Sequence, residues 1–125
     1  MITTGVDIVQ ISRIEKLMNN KRDLFFNRIF TEKEINHIIK KGSNPKTVAG
    51  IYAAKEAISK SLGTGIGQVG WKDMEVIHDD KGKPHVNPSS KITPILETLD
   101  INRFDLSISH DGDYAIAFVV GYYQP

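Results

Sequence analysis

The segment "IYAAKEAISKSLGTGIG", residues 51 to 67, constrains this chain more than any other: an amphipathic helical run enters a loop with glycines at 63, 65, 67 and 70. Each glycine costs about 1 kcal/mol relative to alanine inside a helix, so the helix cannot continue through them. Beyond the loop the apolar period falls to two, the signature of strands. The chain therefore passes from helix to sheet here. "WKDMEVIH" and "KPHVN" flank the turn "DDKG" and predict a hairpin. "FDLSISH" and "YAIAFVVGYY" bracket "DGD" and predict a second.

Upstream, Ile2 to Val9 is rich in β-branched residues and reads as a strand, with Val6 and Ile8 on one face and Asp7 and Val9 on the other. Ser12 and Glu15 form an S-x-x-E capping box that predicts a short helix over Arg13 to Met18. Thr31 and Glu34 form a second box, before a stripe of Ile35, Ile38 and Ile39 that stops at Gly42. Pro45 suits the first turn of the next helix, which should run to about Leu62. Ser89 to Leu99 predicts a further helix that Pro94 disturbs. No repeat, low-complexity tract or linker occurs, and 125 residues bury one core rather than two. The expectation is a single domain over residues 1–125, of class α+β, with an antiparallel sheet and packed helices.

Cysteine is absent, which excludes a disulfide framework and a thiolate metal site. No stretch approaches the roughly eighteen apolar residues of a membrane span, so no membrane partner is expected and a soluble, cytoplasmic protein is. The net charge of +1 conceals an asymmetry: Gln10 to Lys46 holds nine basic and four acidic residues, a net +5, which leaves −4 for the remainder. Such a region attracts an acidic protein or a polyphosphate, unless it is a merely solvated helical face. Aromatic residues do not interleave with the basic ones apart from Phe25 and Phe26, so no nucleic acid partner is expected.

Helical spacing places Tyr52, Glu56, Ser59, Lys60 and Gly63 on one face. The plain reading of Glu56 and Lys60 is an i,i+4 ion pair. Gly65-x-Gly67-x-x-Gly70 matches the dinucleotide fingerprint only formally, since that motif needs a strand before it and a helix after. One glycine suffices for a C-cap, so the others fit backbone that passes close to a bulky anion. Asp7 lies between apolar neighbours, where an unpaired carboxylate out of water costs several kcal/mol. Its partner is a lysine, a helix cap, or a hard divalent cation shared with Glu56. His110 shares a face with Leu106 and Ile108, a setting for a structural histidine or a catalyst, while Asp111 and Asp113 suit the turn. His37, His78 and His85 form no metal-ligand spacing, and no G-x-S-x-G motif occurs.

Together, "GVDIVQISRIE", "YAAKEAISKSLGTGIG", "GKP" at 82 to 84 and "SISH" at 107 to 110 closely resemble the holo-acyl-carrier-protein synthases, the small class of 4′-phosphopantetheinyl transferases. The likeness spans nearly the whole chain and implies the fold of that class. It implies transfer of the phosphopantetheine arm of coenzyme A to a serine of apo acyl carrier protein, with release of adenosine 3′,5′-bisphosphate, in support of fatty acid biosynthesis. Asp7 and Glu56 would be the Mg²⁺ ligands. Lys60 would sit beside the phosphates with Ser59, Gly63, Thr64 and Gly65, and Gly82, Lys83 and Pro84 would lie along the nucleotide. His110 matches the active-site histidine of the class. Arg13 and Arg28 match residues that grip the acidic helix of the carrier protein, in accord with the basic region. Members are usually homotrimers with sites between subunits. Two departures stand out: Ile51 occupies a position where many relatives carry arginine, leaving Lys46 as a stand-in for that contact, and Thr3 and Thr4 precede Gly5 in place of an additional glycine.

Other chemistry is compatible with the same residues. A Mg²⁺-dependent phosphohydrolase would use the two carboxylates with water as nucleophile, and a non-catalytic module would bind coenzyme A or the carrier protein without forming product.

Overall fold

The computed structural model describes residues 1–125. The elements run β1 (Ile2–Gln10), α1 (Ile11–Ile29), α2 (Glu32–Lys40), α3 (Pro45–Ser61), β2 (Met74–His78), β3 (Pro84–Pro88), α4 (Thr93–Leu99), β4 (Arg103–Asp111) and β5 (Tyr114–Tyr122). An antiparallel sheet has the order β1-β5-β4, and β2 and β3 form a separate hairpin. Helix α3 lies across the three-stranded sheet, and 26 buried apolar residues form one contiguous core. This is the α+β arrangement expected. No helix is long and apolar enough to cross a membrane.

The register fixes where the two motif segments meet. Val6 pairs with Phe118 and Ile8 with Ile116, so Gly5, Asp7 and Val9 turn toward α3 while Val6 and Ile8 turn away. A Cβ on Gly5 would overlap the Ala57 carbonyl oxygen. Glycine at this position lets α3 settle onto the strand and brings Asp7, two residues on, against the helix.

Both ends of α3 form as their residues dictate. Asn44 caps the start by accepting from the Lys46 amide, with Pro45 in the first turn. Leu62 caps the end, and the loop folds back as Gly63 N–H donates to Lys60 O and Gly65 N–H to Ser59 O. Gly63, Gly65 and Gly67 have φ of +74°, +66° and +131°, with open space where a Cβ would stand. Backbone conformation rather than crowding selects glycine there.

Four expectations are corrected. Ser12 and Glu15 form no capping box: Gln10 is the cap residue of α1 and its side chain makes no cap bond. The Ser12 amide and hydroxyl instead donate to the Asp113 carboxylate at 3.0 and 2.7 Å, and Ile11 N–H donates to Asp113 O. The β4–β5 turn thus caps the helix from the far end of the chain. Helix α1 is not short either; it continues to Ile29 across a kink at Lys21, where φ is −145°. Trp71–Asp73 is a 3₁₀ turn rather than strand. The Ser89 to Leu99 segment divides into a 3₁₀ turn at Ser90–Ile92 and α4, with Pro94 in the first helical turn, where it is tolerated. By contrast, the Thr31–Glu34 capping box forms as the spacing predicts.

Asp113→Ala should cost about 1 kcal/mol of stability, as loss of an N-cap does, and Asp113→Asn less. Urea denaturation of the two variants measures this, and equal losses would contradict a capping role.

Candidate active site

Asp7 from β1 and Glu56 and Lys60 from α3 converge on one site. Lys60 Nζ lies 2.9 Å from Asp7 Oδ1 and donates also to Val6 O at 3.1 Å. The i,i+4 pair with Glu56 does not form; lysine answers the buried-carboxylate question at Asp7, which is 16% exposed. Burial, and then the Asp7 charge, raise the proton affinity of Glu56, and Lys60 and Arg13 offset this only in part. Two carboxylates facing one another at the cost of mutual repulsion are a donor set suited to a hard divalent cation. No cluster of three or more His, Asp or Glu could hold a metal by itself, so any ion here would keep open positions for water and substrate oxygens.

The structure separates other predicted residues from this pair. Ser59 is fully buried, its hydroxyl donated to Glu56 O at 2.7 Å. Thr64 donates to Gly65 O and lines a cavity against α4 with Gln68 and Pro94. His110 Nε2 lies 2.9 Å from Lys46 O. A carbonyl only accepts, so Nε2 carries the proton. Gly50 permits this approach: a Cβ there would stand 2.9 Å from Ile108 Cγ2 and 3.2 Å from His110 Nε2. His110, Ile51, Gly82 and Pro84 line a cavity of about 310 Å³ that neither Asp7, Glu56 nor Lys60 reaches. Lys83 lines the neighbouring cavity on the other side of Pro84. Lys46 offers its carbonyl to His110, but it is Lys41 that lines the cavity beside Ile51.

Arg13 is exposed near Glu56 and Tyr52, and Arg28 borders an apolar groove of about 320 Å³ formed by Leu17, Leu24, Phe25 and Tyr52, with Lys21 also on its rim.

Two arrangements escaped the sequence reading. Lys55, beside Glu56 in the chain, is fully buried and paired with buried Glu34 at 2.8 Å. Its other protons go to Trp71 O and Met74 O, while Glu34 accepts the Thr31 and Val76 amides. The signal was present, since Ile51, Ile58 and Leu62 at −4, +3 and +7 put Lys55 on the apolar stripe. The second is a face-to-face stack of His37 on His78, with centroids 3.9 Å apart. No local pattern announces it.

A 4′-phosphopantetheinyl transferase superfamily model matches residues 3–119. This chain belongs to that superfamily. Among its relatives, the transferase of Fusobacterium nucleatum described as a holo-acyl-carrier-protein synthase is 43% identical over 121 residues, 96% of this chain and 98% of the relative. The crystal structure of the Neisseria meningitidis holo-acyl-carrier-protein synthase superposes with a TM-score of 0.87 at 36% identity, covering 97% of this chain and 98% of that one. The Helicobacter pylori synthase, solved in complex with coenzyme A, gives a TM-score of 0.83 at 35% identity over 97% of this transferase and 99% of that chain.

Proposed function

We infer that this transferase moves the 4′-phosphopantetheine arm of coenzyme A to a serine of apo acyl carrier protein, releasing adenosine 3′,5′-bisphosphate. Fatty acid biosynthesis, which depends on the loaded carrier, is the process it serves, and a cytoplasmic location belongs to the same reading. The observation that carries the chemistry is the convergence of Asp7 and Glu56, from the two motif segments, beside Lys60.

Asp7 and Glu56 are the residues that would hold Mg²⁺. Bound there, the ion would neutralise and orient the pyrophosphate of coenzyme A. Lys60, exchanged from Asp7, offsets charge on the phosphate that departs with the adenosine. The carrier serine Oγ forms the new bond to the β-phosphorus, and the bridging P–O bond on the adenosine side breaks. The serine proton needs an acceptor, and Glu56 is a site carboxylate whose proton affinity is raised. The alternative in which water replaces the serine is less favoured by the basic, apolar groove along α1, which suits an acidic amphipathic helix.

His110, Gly82 and Pro84 line no cavity in common with the carboxylates, an arrangement compatible with a site completed across a subunit boundary. A homotrimer is proposed by analogy with the class this chain resembles, whose members usually form trimers with sites between subunits. The outward strand face supports it: Val6, Ile8, Ile116 and Phe118 are each 41% or more exposed and adjacent through the β1–β5 register, an apolar patch that a second copy would cover.

Incubation with coenzyme A and Mg²⁺ tests the reaction class. Adenosine 3′,5′-bisphosphate should be released only when apo carrier protein is present. Release without it would make the protein a phosphohydrolase, and saturable binding with no product in either case would make it a binding module. Arg13→Ala should raise KM for the carrier protein by about tenfold, equivalent to about 1.4 kcal/mol, with little change in KM for coenzyme A. Steady-state kinetics against each substrate measures the split.

A further inference from the structure

The cation seated at the two carboxylates is the chain's own. Lys60 crosses from α3 to β1, 53 residues away in the chain, to reach Asp7. Its ammonium donates to Asp7 Oδ1 at 2.9 Å and to Val6 O at 3.1 Å, so oxygens of a single strand hold two of its three protons. Glu56, one turn back on α3, has no ion-pair partner. One ammonium thus serves two carboxylates, and it neutralises Asp7.

This contact can break without disturbing the fold. The Lys60 side chain is 52% exposed against 16% for Asp7, and an ion pair open to water on one side contributes little to stability. Its four-carbon stem lets the head group move to another acceptor while α3 stays in place. A divalent cation meets a different situation. Mg²⁺ takes carboxylate oxygens at about 2.0–2.1 Å, and its charge repels an ammonium already seated on the same carboxylate. Because Asp7 is largely out of water, solvent screens that repulsion weakly. Ammonium and metal therefore compete for Asp7. A pyrophosphate resolves the competition, since it offers the ammonium other anionic oxygens.

We propose that Lys60 is an internal stand-in for the divalent cation. It holds the Asp7 carboxylate until the pyrophosphate of coenzyme A draws the ammonium away, so the ion alone binds weakly and the ion and co-substrate bind cooperatively. The proposal rests on the transferase reading, since it assigns the way in which that same site fills. By linkage, the factor by which coenzyme A tightens the ion equals the factor by which the ion tightens coenzyme A. Lys60 thus acts on binding as well as on the departing phosphate, and binding measured without turnover isolates the first role.

Mn²⁺ serves as the probe, with free ion counted by electron paramagnetic resonance and no carrier protein present. Without coenzyme A, Lys60→Met should bind Mn²⁺ about tenfold more tightly than the wild type, the scale of a hydrogen bond to a charged group. Lys60→Arg keeps the charge and the donors and should stay near the wild type. Arg13→Met removes a cation that acts on Glu56 without bonding Asp7, so it should tighten Mn²⁺ far less. Coenzyme A, after correction for the Mn²⁺ it holds in solution, should tighten the ion by a larger factor in the wild type than in Lys60→Met. Affinity for Mn²⁺ alone no higher in Lys60→Met than in the wild type, a gain as large in Arg13→Met, or an equal effect of coenzyme A on both proteins would overturn the proposal. Absence of transfer to any carrier protein would instead defeat the transferase reading, while Mn²⁺ binding without co-substrate still decided the role of Lys60.

Discussion

Asp7→Asn and Glu56→Gln should each lower kcat for phosphopantetheine transfer by at least about a thousandfold, the scale on which electrostatic stabilisation of a charged transition state is lost. Neither should unfold the protein. Asp7 is paired with Lys60 in a partly exposed ion pair, whose removal costs about 1 kcal/mol or less. Glu56 is the more telling position, because its charge is a liability to the fold. Its proton affinity is raised, so the native state binds more protons than the unfolded chain once pH exceeds the ordinary carboxylate range. Stability therefore falls as pH rises through that window, and the amide removes this cost. Glu56→Gln should accordingly melt no lower than wild type at pH 7 while losing turnover. Thermal denaturation beside single-turnover kinetics separates the two effects. A well-folded Glu56→Gln protein with wild-type turnover would contradict the assignment.

Lys55 predicts the opposite outcome from the adjacent residue. All three ammonium protons are committed, to Glu34 and to the Trp71 and Met74 carbonyls, and the pair has no exposed side-chain surface. Burial lowers the proton affinity of Lys55 and raises that of Glu34, and each partner opposes the shift of the other. Removing one partner leaves a buried charge uncompensated, at a cost of about 3–5 kcal/mol. Against a total stability of about 5–15 kcal/mol for a domain, that loss would be severe. Lys55→Met and Glu34→Leu should each show this destabilisation in chemical denaturation, and the double variant should recover much of it. Additive losses in the double variant would show that the ionic contact contributes little beyond packing. Lys55 thus ties α2 and the start of β2 to α3, the helix that carries Glu56 and Lys60.

Local signals and long-range partners account for what the sequence made legible. The Thr31–Glu34 box, the Pro45 start of α3, the glycine stop and the β4–β5 hairpin each depend on residues within one turn or two short strands of one another. They were readable. Ser12 looked like a cap because S-x-x-E fits the local rule, but Asp113, 101 residues away, offers a carboxylate to both of its donors. The exposed apolar face of β1 alternates correctly, yet alternation alone does not say which face is covered. At the site, the spacing of residues 56 and 60 put a carboxylate and an ammonium on one helix face, and Gly5 and Asp7 lay in recognisable register. That Lys60 prefers Asp7 to Glu56 depends on how closely α3 approaches β1, which only the packed structure reveals. The histidine stack joins α2 to β2 through tertiary contact alone, so neither residue stood out in its own segment.

Intact-mass measurement of an apo acyl carrier protein, after incubation with coenzyme A, Mg²⁺ and this transferase, tests the central claim most directly. The carrier should gain the mass of one phosphopantetheine, located on a single serine, and should remain unmodified when a chelator is added or when Glu56→Gln replaces the wild type. An unmodified carrier with the wild-type protein, or a full mass gain that chelation and Glu56→Gln leave intact, would contradict it.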